Sequence, residues 1–140
     1  ADLPEKVLWK IEAIAITLVK GLKSAGIFAV ELFVTRLGEV YVNETAPRVH
    51  NSGHHSIEAN YSSQFDMLWR IMLGYPLGNP DAILPAAIVN LLGAEGHSGK
   101  AKYETNPGRK MGHITILSKE KQELIHKARQ IGQLIKVVAE

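Results

Sequence analysis

Apolar residues near the start of the chain recur at helical spacing. Leu8, Ile11, Ala15, Leu18 and Leu22 form one stripe, with Asp2 and Glu5 as a capping pair and Pro4 in the first turn. This pattern predicts an amphipathic helix ending near Gly26. The pattern then changes. Ile27-Phe28-Ala29-Val30-Glu31-Leu32-Phe33-Val34-Thr35 is rich in β-branched and aromatic residues and carries a single carboxylate, so it reads as a strand with one polar interruption. Across Leu37-Gly38 a second short strand leads into Val42-Asn43-Glu44-Thr45-Ala46-Pro47-Arg48-Val49-His50-Asn51-Ser52-Gly53-His54-His55, where titratable side chains crowd the strand's exit.

A hairpin turn at Leu37-Gly38 pairs Thr35 with Val40 and sets Glu31 directly opposite Glu44. Like charges facing each other destabilise a sheet unless something neutralises them, and a hard cation shared with phosphate oxygens does so. Leu-Gly is not a favoured two-residue turn, and a bulge at Gly38 would slip the pairing by one residue and turn one glutamate away. Glu31 could instead pair with a lysine or arginine, leaving Glu44 as a solvated strand end.

Further along, Pro47 and Gly53 argue against a regular helix in the histidine-rich loop. Ser63 and Asp66 are read as caps of a second helix whose Phe65, Leu68, Trp69, Met72 and Leu73 repeat at helical spacing, as a core-facing stripe would. Gly74 and Pro76 end it. Ala86 to Leu92 reads as a third strand, Gly112 to Leu117 as a fourth, and Lys119 to Val138 as a final helix. Gly78-Asn79-Pro80-Asp81 marks a boundary between 1–79, which carries the glutamates, and a smaller β-rich unit, 80–140. The mixture implies an α+β layered fold.

Composition narrows the function. The 140 residues are 46% hydrophobic and 21% charged, ordinary for a globular protein. A net charge of +2 with scattered basic residues gives no field for nucleic acid. The absence of cysteine rules out disulfide and thiolate chemistry. No signal-peptide pattern or membrane-length apolar run is found, so the expectation is a cytoplasmic protein with no membrane partner. Gly96-His97-Ser98-Gly99-Lys100 fails as a phosphate loop, because Ala94 and Ala101 stand where glycine and a hydroxyl residue are required. His50 and His54 have zinc-ligand spacing only on a helix, which this segment disfavours.

The segments Val30-Glu31-Leu32-Phe33, Asn43 to His54, Ser63-Gln64-Phe65, Leu73 to Gly78, Val89 to Gly93 and Gly108-Arg109-Lys110-Met111-Gly112-His113 together resemble the 5-(carboxyamino)imidazole ribonucleotide synthase family. These are ATP-grasp carboxylating ligases of purine biosynthesis. The resemblance runs in order from about Gly26 to about Leu117. It implies that ATP phosphorylates bicarbonate to carboxyphosphate, and that the carboxylate then passes to the amine of aminoimidazole ribonucleotide. It further implies Glu31 and Glu44 as Mg²⁺ ligands, with Asn43 and Glu44 at the nucleotide. Arg48 and His50 become catalytic and substrate-binding groups, and Arg109 completes the anion site.

The sequence departs from the family in two places. Members are longer on the N-terminal side, where the first ATP-grasp domain and the nucleotide-gripping lysines lie, so the resemblance covers a C-terminal portion that needs an N-terminal ATP-grasp portion as its partner. Between Tyr103-Glu104 and Thr105-Asn106-Pro107 the family carries a further helix and a strand bearing its substrate lysine, a role not transferred to Lys102. Two other readings stay open, a folded fragment or assembly module without catalysis and another ATP-grasp ligase. The oligomeric state is open too, a homodimer included.

Overall fold

The computed structural model describes residues 3–95, 99–100, 104–105, 110–135 and 137. In chain order the elements are α1 (Glu5–Gly21), β1 (Ala29–Val34), β2 (Val40–Ala46), a 3₁₀ turn (Asn51–Gly53), α2 (Ser56–Ala59), α3 (Gln64–Leu73), β3 (Ala86–Leu92), β4 (Gly99–Lys100), β5 (Glu104–Thr105), β6 (Lys110–Leu117) and α4 (Lys121–Leu134). The strands pair as β1 with β2, β3 with β6 and β4 with β5, all antiparallel. The architecture is α+β, as the residue pattern implied. It divides into two compact units, one built from 1–53 and 64–78, the other from 54–63 and 79–140.

In the first unit α1 starts at Pro4, whose fixed φ suits a helix entry but which donates no side-chain cap. The expected Asp2 cap lies outside the described residues. The helix ends at Gly21 rather than near Gly26, because Lys23 turns into the left-handed region at φ 49°. Its covered side runs through buried Val7 and half-buried Ile11, Ile14 and Leu18, whereas Leu8 and Leu22 are each 49% exposed. The covered stripe keeps Ile11, Ala15 and Leu18 of the expected one and is rotated toward Val7 and Ile14 and away from Leu8 and Leu22. Apolar residues occupy more than one side of α1, so spacing alone does not fix its rotation; Ala15, Ile16 and Val19 line a surface cavity of about 490 Å³ with Phe28 and Val30.

The hairpin turn is not a two-residue one. Thr35 and Glu39 close it, with the Thr35 N–H donating to the Glu39 carbonyl at 2.9 Å and the Gly38 N–H to the Thr35 carbonyl at 3.0 Å. Gly38 sits at φ 76°, the left-handed residue that a three-residue hairpin loop demands. A Cβ there would lie 3.2 Å from Val7 Cγ2, so α1 also packs against the turn. Lys10 reinforces that contact, reaching the Gly38 carbonyl at 3.3 Å and Glu39 at 3.6 Å.

The first unit also contains α3, and here the core reading fails. Phe65 and Leu68 are half-buried, but Trp69, Met72 and Leu73 are 61%, 66% and 58% exposed. Helical spacing specifies an apolar face without specifying what covers it. Asp66 grips Arg70 one turn on at 2.8 Å, and Gly74, at φ 68°, ends the helix.

In the second unit β3 and β6 form the central ladder, with Asn90 paired to His113 and a bulge after Leu91. Strand β6 begins at Lys110, two residues before the expected Gly112. Helix α4 packs on both strands, and α2 packs on β6. Buried Ala59, Ile116 and Leu124 mark this core. The final helix is shorter than expected: Ile135 is already extended, and Val137 makes a parallel bridge with Gly93. Asn60 bridges Ala82, tying the short 54–63 segment to the body of the unit.

Candidate functional site

Strand alternation sends Val30, Leu32 and Val34 toward the covered side and Glu31 and Phe33 to the open face. On β2, Tyr41 faces Phe33 and Glu44 faces Glu31. The expected opposition of the two carboxylates is present, but the expected Thr35–Val40 pair is not. Val34, Phe33 and Leu32 pair with Val40, Tyr41 and Val42, one residue out of step with the Glu31–Glu44 pair, and a bulge between Glu31 and Leu32 absorbs the difference. The extra residue is Asn43. Its Nδ2 donates to Glu31 Oε2 at 3.3 Å, so the bulge aims an amide at the carboxylate.

The other Glu31 oxygen faces the loop that follows β2. His50 Nε2 lies 3.6 Å from Glu31 Oε1, and the His50 side chain is only 16% exposed against 46% for Glu31. The ring nitrogen Nδ1 is 2.9 Å from Ser52 Oγ and accepts the Ser52 backbone N–H at 3.3 Å. Gln64, at the start of α3, brackets the His50 backbone: its Oε1 accepts the His50 N–H and its Nε2 donates to the His50 carbonyl, both at 2.9 Å. Arg48 is exposed, with Nη1 donating to the Val49 carbonyl at 3.1 Å.

The loop is less irregular than its proline and glycine imply. It holds a single 3₁₀ turn at Asn51–Gly53, closed by the Gly53 N–H on the His50 carbonyl at 2.9 Å, and a single α-helical turn at Ser56–Ala59. Both begin after Pro47, so neither needs the backbone donor that proline lacks. In the second unit His54 stacks on His113 with ring centroids 5.1 Å apart. Arg109 lies outside the described residues, as do the failed phosphate-loop residues 96–98.

Glu31, Asn43, Glu44 and His50 are thus brought together on one unit. Among the described residues no group of three or more His, Cys, Asp or Glu side chains is placed to hold a metal alone. Two carboxylates with an adjacent amide form a hard-oxygen donor set, of the kind that suits a cation completed by phosphate oxygens and water. Sequence reading missed Gln64, Ser52 and Gly53 as supports of His50. Only Ser63-Gln64-Phe65, as part of a longer resemblance, drew notice to that segment.

Residues 1–65 match the ATP-grasp domain model, and residues 101–127 match the phosphoribosylaminoimidazole carboxylase C-terminal domain model. The chain has the fold of part of the ATP-grasp class. Within that class it is similar to a portion of the N5-carboxyaminoimidazole ribonucleotide synthases. It is 39% identical to the Bacillus subtilis synthase of that name over 89% of this chain and 37% of that protein. The crystal structure of the Thermotoga maritima synthetase superposes with a TM-score of 0.93 at 39% identity, covering all of this chain and 45% of that one. A second structure, the Aspergillus clavatus N5-carboxyaminoimidazole synthase in complex with ADP and 5-aminoimidazole ribonucleotide, matches with a TM-score of 0.82 at 26% identity over 94% of this chain and 42% of that one. The chain spans 25% and 40% of the lengths of the first curated relatives it matches.

Proposed function

We propose that this chain is the part of an N5-carboxyaminoimidazole ribonucleotide synthase that carries the metal carboxylates and the substrate-facing loop. On this reading the whole enzyme uses ATP and bicarbonate to carboxylate 5-aminoimidazole ribonucleotide. The observation that carries the proposal is the Glu31–Glu44 pair on one hairpin face, with the Asn43 amide on Glu31, inside the segment that matches the ATP-grasp domain. Two acids facing each other at the strand ends are costly to a sheet that has no cation to share.

Glu31 and Glu44 would hold Mg²⁺, with Asn43 directed at the nucleotide phosphates. When bound, the cation offsets phosphate repulsion as the γ-phosphoryl group leaves ATP. Arg48, on the loop after β2, suits a planar two-point grip on carboxylate or phosphate, which steadies the carboxyphosphate or the ribonucleotide. His50, held beside Glu31, orients the substrate or moves a proton at its amine. Arg109 adds a second positive charge for the ribonucleotide phosphate.

Residues 1–79 would then complete an ATP-grasp domain and 80–140 form a small C-terminal domain. On the same resemblance, the nucleotide-gripping lysines and phosphate-covering loop would belong to the portion of the relatives that this sequence does not span. The enzyme would work in the cytoplasm; among the described residues no helix is long and apolar enough to cross a membrane.

The test is ADP release on adding aminoimidazole ribonucleotide and bicarbonate. This chain alone should give no turnover, because half of an ATP clamp neither excludes water nor aligns the phosphates. Combined with the remaining ATP-grasp portion, it should give steady ribonucleotide-dependent release. Release that ignores the ribonucleotide would overturn the proposal.

A further inference from the structure

The His50 ring is held in one tautomer and one place. A backbone N–H can only donate, so the Ser52 N–H on Nδ1 makes that nitrogen an acceptor and leaves the neutral ring's proton on Nε2, which faces Glu31 Oε1 at 3.6 Å. The ring can keep this aim only if the backbone at residue 50 stays put. That backbone lies in a loop between β2 and the 3₁₀ turn, where among the described residues no strand pairs with it and its carbonyl takes the Gly53 N–H at 2.9 Å. Gln64 supplies the missing partner. Its side-chain amide donates to and accepts from residue 50 at 2.9 Å in both directions, as a neighbouring strand would.

Gly53 makes the clamp fit. A Cβ on residue 53 would come within 2.6 Å of Gln64 Oε1 and 2.8 Å of its Cδ, closer than a real Cβ approaches. Its φ is not in the left-handed region, so an alanine here would be accommodated by moving the Gln64 amide and not by backbone strain. Gly53 and Gln64 therefore read as one device.

We propose that Gln64 is a positioning residue for His50: it fixes the loop backbone, through which the Ser52 N–H selects the ring's tautomer and its aim at Glu31. The inference deepens the proposed function and rests on it for the role of His50 in the reaction. Two substitutions test it. Gln64→Met keeps the side chain's length and removes both amide contacts. Gly53→Ala leaves residue 64 chemically intact and displaces its amide.

The first readout is the ¹⁵N signature of the His50 ring, assigned by its loss in His50→Ala and recorded where the ring is neutral. The unsubstituted protein should show a single form protonated at Nε2, and both substitutions should give a tautomer mixture. The second readout is kinetic, in the complete enzyme. Both substitutions should lower kcat by roughly 10- to 100-fold, as small misplacements of a reacting group do, with KM for ATP unchanged. In a His50→Ala background neither should have a further effect. An unaltered ring signature in both variants overturns the inference, as does a full kcat loss that persists on top of His50→Ala. A lost signature with unchanged kcat upholds the clamp and refutes instead the place of His50 in the reaction.

Discussion

Glu31 stands directly opposite Glu44 across the β1–β2 ladder, although the pairs between them and the turn follow a register one residue out of step. The opposition survives because Asn43 is looped out between Val42 and Glu44. The same residue then places its amide 3.3 Å from Glu31. One bulge thus both aligns the two acids and gives one of them a donor.

Removing one of these charges should affect stability and activity in opposite directions. Glu44→Gln should abolish ribonucleotide-dependent ADP release in the complete enzyme. In magnesium-free buffer it should stabilise the protein, within the roughly 0.2–1 kcal/mol that cross-strand charge pairs contribute. Urea unfolding with and without magnesium checks this. A variant destabilised in metal-free buffer would show that no repulsion exists to be relieved.

Replacing Arg48 by Ala should weaken ribonucleotide binding by about 1.5–3 kcal/mol, the usual worth of a hydrogen bond to a charged group. Arg109→Ala should act alike, and ATP affinity should hold in both. Calorimetric titration of each ligand distinguishes the two effects. Unchanged ribonucleotide affinity in both variants would remove these residues from the substrate site.

Gly38→Ala should cost more than Gly74→Ala. Both glycines have positive φ, 76° and 68°, so each alanine carries about 1–2 kcal/mol of left-handed strain. At residue 38 the new methyl would also meet a neighbour, Val7 Cγ2 at 3.2 Å, whereas among the described residues nothing lies within 4 Å of one at residue 74. Equal losses in urea unfolding would mean that α1 does not rest on the hairpin turn.

The acid limb of stability should reflect Glu123. Its carboxyl is held below the usual glutamate range by the Lys127 ammonium, 2.6 Å away, and by the Ser118 hydroxyl, which also accepts the Glu120 N–H at 3.0 Å. A lowered folded value means that this stabilisation is complete above the ordinary glutamate range and fades as pH falls through the lowered one. Lys127→Met or Ser118→Ala should raise the Glu123 value, read by NMR titration, and flatten the loss of stability in acid. An unmoved titration in both variants would refute the assignment.

Much of this was legible in the residues. The run from Ala86 to Leu92 is a strand with the bounds its apolar content gives, and the facing glutamates follow from the hairpin. The path between turn and glutamates was not legible, because a left-handed Gly38 and a bulged Asn43 each shift the register while leaving the apolar alternation intelligible. The rotation of α1 was hidden by apolar residues on several sides. The exposed Trp69 and Met72 show the reverse limit, since a stripe does not name its cover. Gln64 was invisible as a support because it meets His50 across 14 residues of loop and short helix, a contact that no local period encodes.

The looped-out Asn43 is an insertion that the hairpin absorbs without changing which residues face each other on either side of it. Deleting residue 43 would leave Glu31 opposite Glu44, in one continuous register with Val34–Val40, and would remove only the amide beside Glu31. Deleting one turn residue, with Thr35 still facing Glu39, would likewise leave every pair from Val34–Val40 to Ala29–Ala46 in place. Length changes at the turn and at the bulge should therefore be independent in aligned sequences of the family, and a member that lacks residue 43 should keep the facing acids while losing the amide between them.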